Sequence, residues 1–110
     1  MSTIETIFPS RKERINLSSD IERKAGRAIG RVQGVGFRMF VRAEATKRGV
    51  TGWVKNMSDG AVTMELQGAP NVIAELVERI KKGRNRIKVT KLELNDLPVV
   101  EGEDKFAIRR

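Results

Sequence analysis

A short glycine-rich segment that ends in an arginine is the part of the sequence best suited to chemistry. Gly34 and Gly36 flank a single valine, and Arg38 follows two positions later. Glycines at this spacing allow a tight turn in which successive backbone N–H groups point into one concavity. A helix predicted to begin near Phe37 adds its own free N–H groups and the positive end of its dipole. With the planar guanidinium of Arg38 at its mouth, the segment predicts an anion cradle suited to phosphate.

The same segment also has a purely structural interpretation, in which the glycines relieve strain between a strand and a helix and Arg38 is solvated. Two better-known phosphate motifs do not match. A Walker loop is excluded because its lysine and the following serine or threonine are missing, and a dinucleotide-binding fingerprint requires a third glycine where Met39 stands. Taken alone, these residues leave both the cradle and the structural turn open.

Composition removes several classes of chemistry. The 110 residues include 22 Lys and Arg against 14 Asp and Glu, for a net charge of +8, and neither His nor Cys is present. Ser–His and Cys–His nucleophile pairs are therefore excluded, as are thiolate and imidazole sites for zinc or iron. No secretory signal and no run of about 18 apolar residues is found. We expect a cytoplasmic protein without a membrane segment.

Hydrophobic periodicity predicts two helices and five strands. Strands are predicted over 27–33, 50–55, 61–67 and 86–94, helices from Phe37 to Arg48 and from Pro70 to the residue before Gly83, and a last short strand at Phe106 and Ile108. In the fourth strand the alternation slips near Thr90 and Lys91, which indicates a β-bulge. The order βαββαβ predicts a ferredoxin-like α/β (α+β) sandwich, with an antiparallel sheet carrying both helices on one face.

The first 24 residues show no sustained apolar period and are predicted to form a mobile N-terminal extension, with the folded domain over 25–110. Ile7 and Phe8 are the side chains of the extension that can dock on a sheet edge or on a neighbouring molecule. We expect a monomer, and a dimer formed through residues 1–24 is the alternative.

A basic run between the second helix and the fourth strand contains no acidic residue. Its members are Arg79, Lys81, Lys82, Arg84, Arg86, Lys88 and Lys91. Such a run can neutralise phosphates, but it is more often a solvated surface. RNA-recognition domains of this fold class stack bases on aromatic residues of two central strands, and the segments 27–33 and 61–67 contain none. No specific nucleic-acid partner is expected, and weak electrostatic binding through this run is retained as an alternative.

Two longer motifs carry a family resemblance. The first is Gly30-Arg31-Val32-Gln33-Gly34-Val35-Gly36-Phe37-Arg38, and the second is Gly52-Trp53-Val54-Lys55-Asn56 followed by Asp59-Gly60. Together they resemble acylphosphatases, over about residues 26–110. The resemblance implies an α/β sandwich that hydrolyses small anionic acyl phosphates to a carboxylate and inorganic phosphate, with no metal and no other cofactor. Inorganic phosphate or sulfate is then expected to occupy the same site.

The resemblance also implies roles for individual residues. The phosphoryl group is bound by the Arg38 side chain and by the backbone amides of Gln33, Gly34, Val35, Gly36, Phe37 and Arg38, and Asn56 orients the attacking water. By itself, Asn56 is more typical of a hairpin residue that tolerates turn geometry, and its place after Gly52-Trp53-Val54 favours the functional interpretation. The reaction suits a chain without histidine, because the leaving carboxylate has a conjugate acid of pKa about 4 and departs without protonation.

The chain departs from the family pattern after the second helix. Where the family often has Gly-Pro-Pro, this sequence has Gly83-Arg84-Asn85, which predicts a looser and more basic loop. The N-terminal extension also has no counterpart in the family's core. For that reason a catalytically idle interaction or regulatory domain on the same scaffold is retained as the second alternative.

Overall fold

The computed structural model describes residues 21–110, which form seven elements in the predicted order. They are β1 (Glu22–Arg31), α1 (Phe37–Lys47), β2 (Thr51–Asn56), β3 (Val62–Gly68), α2 (Pro70–Lys82), β4 (Lys88–Leu97) and β5 (Phe106–Arg109). The ferredoxin-like α/β sandwich expected from the sequence is confirmed. Within residues 21–110, no helix is long and apolar enough to cross a membrane. The predictions for Ile7, Phe8 and a dimer through residues 1–24 concern residues that lie mainly outside this range.

The five strands form one sheet in the order β4-β1-β3-β2-β5. The first four strands pair antiparallel, whereas β5 pairs parallel to β2 and makes the sheet mixed. Helix α1 packs on β2 and β5, and α2 packs on β4 and β3. Strand residues on the helix-facing side, such as Ala28, Val54, Val62 and Leu66, are completely buried and build the core. Burial of one apolar face of the sheet by both helices therefore gives the layer arrangement.

Strand β1 begins earlier than the predicted 27–33, at Glu22, and ends at Arg31. Gly26, Ala28 and Gly30 have low strand propensity, but both edges of β1 are paired, one with β3 and the other with β4. Gly26 is small for a packing reason, since a Cβ there would lie 2.9 Å from the Met64 side chain. Tertiary pairing therefore overrides the low strand propensity of this segment.

The predicted bulge in β4 is present. Pairing between β1 and β4 passes from Ile29↔Lys91 to Gly30↔Val89, so Thr90 has no partner residue. The Thr90 hydroxyl donates to the Ile29 carbonyl at 2.9 Å. Gly30 has φ 134°, and a Cβ there would lie 2.2 Å from the Lys88 carbonyl oxygen, so only glycine fits opposite the bulge. Beyond the bulge, β4 continues to Leu97, which lies past the predicted end of this strand at residue 94.

On the sheet face away from the helices, the guanidinium of Arg23 is 3% exposed and fixes the 98–105 connection to the sheet. It donates to Glu65 at 2.8 Å, to Gln67 at 3.0 Å and to Glu103 at 2.8 and 3.2 Å. Gln67 in turn exchanges two 2.8 Å hydrogen bonds with the backbone of Val100. The hydrogen bond from Arg23 lowers the pKa of the Glu103 carboxyl.

Replacing Arg23 with methionine should lower the free energy of unfolding at pH 7 by about 2–3 kcal/mol, because two carboxylates lose their partner. Because folding lowers the pKa of Glu103, the ion pair makes its full contribution to the free energy of unfolding at any pH above the pKa of Glu103 in the unfolded chain. That contribution is lost as the pH falls through the pKa of Glu103 in the folded protein. Urea titrations should therefore give a smaller difference between wild type and Arg23→Met at pH 3 than at pH 7. Lys24→Met, which removes the neighbouring exposed pair with Asp96, is the control and should change the free energy of unfolding far less than Arg23→Met does.

Candidate active site

The segment between β1 and α1 has the backbone geometry of an anion cradle. Gly34 and Gly36 have φ values of 75° and 80°, and Gly36 is the N-cap of α1 with no side-chain capping bond. A Cβ at either position would meet nothing within 4 Å, so the glycines are required by conformation and not by crowding. Within residues 21–110, no amide from Gln33 to Met39 donates a hydrogen bond to a backbone carbonyl. These N–H groups are therefore free to bind an anion.

A cleft of about 280 Å³ opens in front of this loop. Both predicted catalytic side chains contribute to its wall, although Arg38 lies at the start of α1 and Asn56 at the end of β2. The lining residues are Val32, Gly34, Gly36, Phe37, Arg38, Met39, Asn56, Ile108 and Arg110. The fold thus brings the cradle, Arg38 and Asn56 to one cavity.

Asn56 is the last residue of β2 and lies opposite Val62 in the β2–β3 ladder. Because side chains alternate along a strand, it shares the helix-facing side with Val54. Its Oδ1 atom is buried and has no hydrogen-bond partner among the described residues. An unpartnered buried acceptor costs about 1–3 kcal/mol, so its position in the wall of the cleft calls for a functional explanation.

Arg38 occupies the first turn of α1 and is partly buried in the cleft wall. Across the part of the chain that the structure describes, no carboxylate lies within 4.0 Å of its guanidinium. Four other arginines of the described residues do pair with a carboxylate, including Arg23 with Glu65 and Arg48 with Glu44. The charge of Arg38 therefore acts on the cleft without a counterion among residues 21–110.

The Gln33 side chain connects the cradle to the hairpin that follows Asn56. Its Nε2 donates to the Met57 carbonyl at 2.7 Å and to the Ala61 carbonyl at 2.9 Å. Both protons of the Gln33 side-chain amide are thus donated to carbonyls of the β2–β3 hairpin. The Met57 backbone amide also donates to the Ala61 carbonyl, at 2.8 Å, and closes this hairpin. The sequence assigned Gln33 only a backbone role, because the distance between loop and hairpin is set by the tertiary fold.

The side chains of Phe37 and Val35 have packing roles, and the backbone role of the cradle residues stays a prediction. Phe37 is 1% exposed and belongs to the core, and Val35 packs against that core. Four cleft residues were not predicted as site residues, namely Val32, Met39, Ile108 and Arg110. Ile108 reaches the cleft because β5 adds parallel to β2, a pairing that no local sequence signal indicates.

Helix α1 is held in place by an ion-pair network on its far side. Glu44 is 5% exposed, and its carboxylate lies 2.6 Å from Arg48 and 3.7 Å from Arg79 of α2. The hydrogen bond from Arg48 lowers the pKa of Glu44. The Arg79 guanidinium also lies 5.1 Å from the centroid of the Phe40 ring. These contacts fix α1, and with it the helix N-terminus that faces the cleft.

Comparisons with known proteins agree with the geometry. A family model described as acylphosphatase matches residues 24–108. An acylphosphatase from Clostridium beijerinckii is 50% identical over 80 residues, which cover 73% of this chain and 89% of that protein. The crystal structure of acylphosphatase from Bacillus subtilis superposes with a TM-score of 0.77 at 40% identity, covering 81% of this chain and 99% of that one. An acylphosphatase structure from Coxiella burnetii gives 0.77 at 33% identity, covering 84% and 96%.

Proposed function

Because this chain belongs to the acylphosphatase family of acyl phosphate hydrolases, we propose that its cleft performs that hydrolysis with Arg38 and Asn56 as the catalytic residues. The phosphoryl group is held by the amides of residues 33–38 and by the Arg38 guanidinium. The observation that carries this assignment is the unpartnered Oδ1 of Asn56, which lies in the same cleft as the cradle. A buried acceptor in that position suits a water molecule that must donate a hydrogen while its oxygen faces phosphorus.

The proposed reaction is one in-line displacement. The water oxygen forms a bond to phosphorus while the bond between phosphorus and the acyl oxygen breaks. The electron pair of that bond leaves with the carboxylate, and a phosphate oxygen takes the water proton. A carboxylate is a good leaving group, so no general acid is needed, and catalysis reduces to positioning and charge stabilisation. Arg38 and the cradle amides supply the positive potential at the equatorial oxygens.

The direct test is hydrolysis of benzoyl phosphate in excess EDTA by wild type and by Asn56→Ala. Turnover that survives chelation and collapses in the variant would support a metal-independent acylphosphatase that uses this site. If folded wild type shows no turnover even after divalent cations are added, the cleft binds an anion without catalysis. The idle interaction domain would then replace the proposal.

Gln33 gives a further prediction, because its amide donates to two carbonyls between the cradle and the hairpin. In Gln33→Glu, an ionised carboxylate would face both oxygens and repel them, whereas a protonated carboxyl can donate to one. We expect kcat for this variant to fall about 10-fold at pH 7 and to recover partly, relative to wild type, as the pH falls toward 5. Rates measured from pH 5 to 8 at saturating benzoyl phosphate test this.

Gln33→Leu is the control for that experiment, since it removes the amide without introducing a titratable group. It should show the loss in kcat at every pH and no recovery in acid. Parallel pH profiles for the two variants would show that the hydrogen bonds to Met57 and Ala61 do not position the site.

A further inference from the structure

A cluster of basic residues lies next to the cradle, and none of them forms an ion pair within residues 21–110. Arg31, Arg84, Arg86 and Lys88, called here the basic collar, are all exposed. Arg31 ends β1, directly before the cradle, and pairs with Lys88 at the start of β4. The Arg84 guanidinium lies 6.0 Å from the centroid of the Phe40 ring, and that ring lies 6.4 Å from Phe37 in the cleft wall.

The collar is held on an ordered turn, in contrast to the looser loop expected from the sequence. The Ile87 amide donates to the Arg84 carbonyl at 2.9 Å, and Asn85 between them has φ 56°. The Ile87 side chain is 9% exposed and anchors the turn in the core. Asparagine tolerates this left-handed conformation better than most residues. Arg84 and Arg86 are therefore fixed on either side of a tight turn.

Charge in the described part of the chain is distributed unevenly. At the opposite end of the sheet, basic side chains are balanced by nearby acids, as in the pairs of Lys24 with Asp96 and Arg48 with Glu75. Among residues 21–110, no carboxylate lies within 4.0 Å of any of the four collar charges. The end of the molecule that contains the cleft thus carries a concentrated positive potential.

The in-line geometry directs the acyl group toward this potential. Attacking water and leaving group lie on opposite sides of phosphorus, so the acyl group extends away from Asn56. In the sheet, β2, which carries Asn56, and β4, which begins in the collar, lie on opposite sides of β1. With the attacking water held at Asn56, the leaving acyl group would lie on the β4 side of the cradle.

We propose that the preferred substrate is an acyl phosphate whose acyl group carries at least one further negative charge, which the collar attracts. This inference rests on the proposed function. It goes beyond that function because the cradle alone recognises only the phosphoryl group, whereas the collar distinguishes between acyl groups.

The test compares benzoyl phosphate with 4-carboxybenzoyl phosphate, which share a ring and a reacting bond and differ by one remote charge. Each kcat/KM is divided by the uncatalysed rate to remove intrinsic reactivity. For wild type at low salt we expect the carboxylated substrate to be favoured about fivefold, and the preference should fall toward one at about 0.5 M salt.

The decisive variant is Arg86→Gln/Lys88→Gln, which removes two exposed collar charges that make no ion pair within residues 21–110. Its preference for the carboxylated substrate should fall below about twofold. The matched control is Lys47→Gln/Lys105→Gln, which removes the same total charge from the other end of the molecule. This control should retain the preference.

Each contrary result has a distinct meaning. Hydrolysis of both substrates with a wild-type ratio near one overturns the proposal and leaves the proposed function intact. Equal loss of preference in both double variants also overturns it, because net charge and not the collar would be responsible. A third contrary result has two parts: the wild-type ratio is near one, and an oligo-dT inhibits wild type but not Arg86→Gln/Lys88→Gln. The collar would then bind a nucleic-acid backbone. Failure to hydrolyse either substrate would refute the proposed function itself.

Discussion

Replacing Arg38 with alanine should lower kcat/KM for benzoyl phosphate by about 10²-fold or more and should also raise the inhibition constant of inorganic phosphate. The guanidinium contributes a planar pair of donors and a full charge to the cleft, and no carboxylate of residues 21–110 neutralises it. In other enzymes, removing one hydrogen-bond donor that stabilises negative charge in the transition state lowers the rate by about 10²–10³-fold. Steady-state kinetics with phosphate as competitive inhibitor measure both effects.

Two variants control this result. Arg42→Ala removes an equal charge from an exposed position one helical turn farther along α1, and it should change kcat/KM by less than about threefold. Arg38→Lys keeps the charge but loses the bidentate geometry, so its activity should fall between wild type and Arg38→Ala. If Arg38→Ala and Arg42→Ala lose activity equally, the role given to Arg38 is wrong.

Replacing Asn56 with alanine should lower kcat by about 10²-fold while the inhibition constant of phosphate stays within about twofold of wild type. The reason is the division of labour proposed for the cleft, in which Asn56 would hold the water and the cradle would hold the phosphoryl group. Asn95→Ala is the matched control, because Asn95 is an exposed β4 residue on the other face of the sheet. It should leave kcat unchanged.

The same variant makes a stability prediction that separates function from folding. The Oδ1 atom of Asn56 is buried without a partner among the described residues, so its removal relieves a desolvation cost. We expect Asn56→Ala to unfold at the same urea concentration as wild type or at a higher one. A large loss of stability would mean that the activity loss comes from damage to the hairpin. A weakening of phosphate binding equal to that in Arg38→Ala would instead contradict the division of labour.

Local chemistry in the sequence was sufficient to predict the backbone conformation of the segment between β1 and α1. Gly34 and Gly36 adopt the left-handed conformation that glycine tolerates best, and α1 begins at Phe37 as its apolar spacing predicts. The same holds for the bulge at Thr90, where a slip in alternation marks an extra residue. These features depend on backbone sterics and short-range periodicity, which are determined by residues close together in the sequence.

Features that depend on pairing partners could not be read in this way. Strand β1 extends to Glu22 because β3 and β4 pair with both of its edges, although its small residues have low strand propensity. The parallel addition of β5 to β2, which brings Ile108 to the cleft, joins segments about fifty residues apart. The sequence contains no local record of such contacts.

The residue types by themselves determined which chemistry was available to this protein. The absence of histidine and cysteine excluded Ser–His and Cys–His nucleophile pairs and thiolate or imidazole metal sites, whereas the roles of Arg38 and Asn56 came from the resemblance of the two motifs to acylphosphatases. The tertiary structure decided their arrangement, because it brings Asn56 into the cleft with Arg38 and ties the cradle to the hairpin through Gln33. Residue identity sets the donors, acceptors and charges, whereas their distances depend on long-range packing that no single segment specifies.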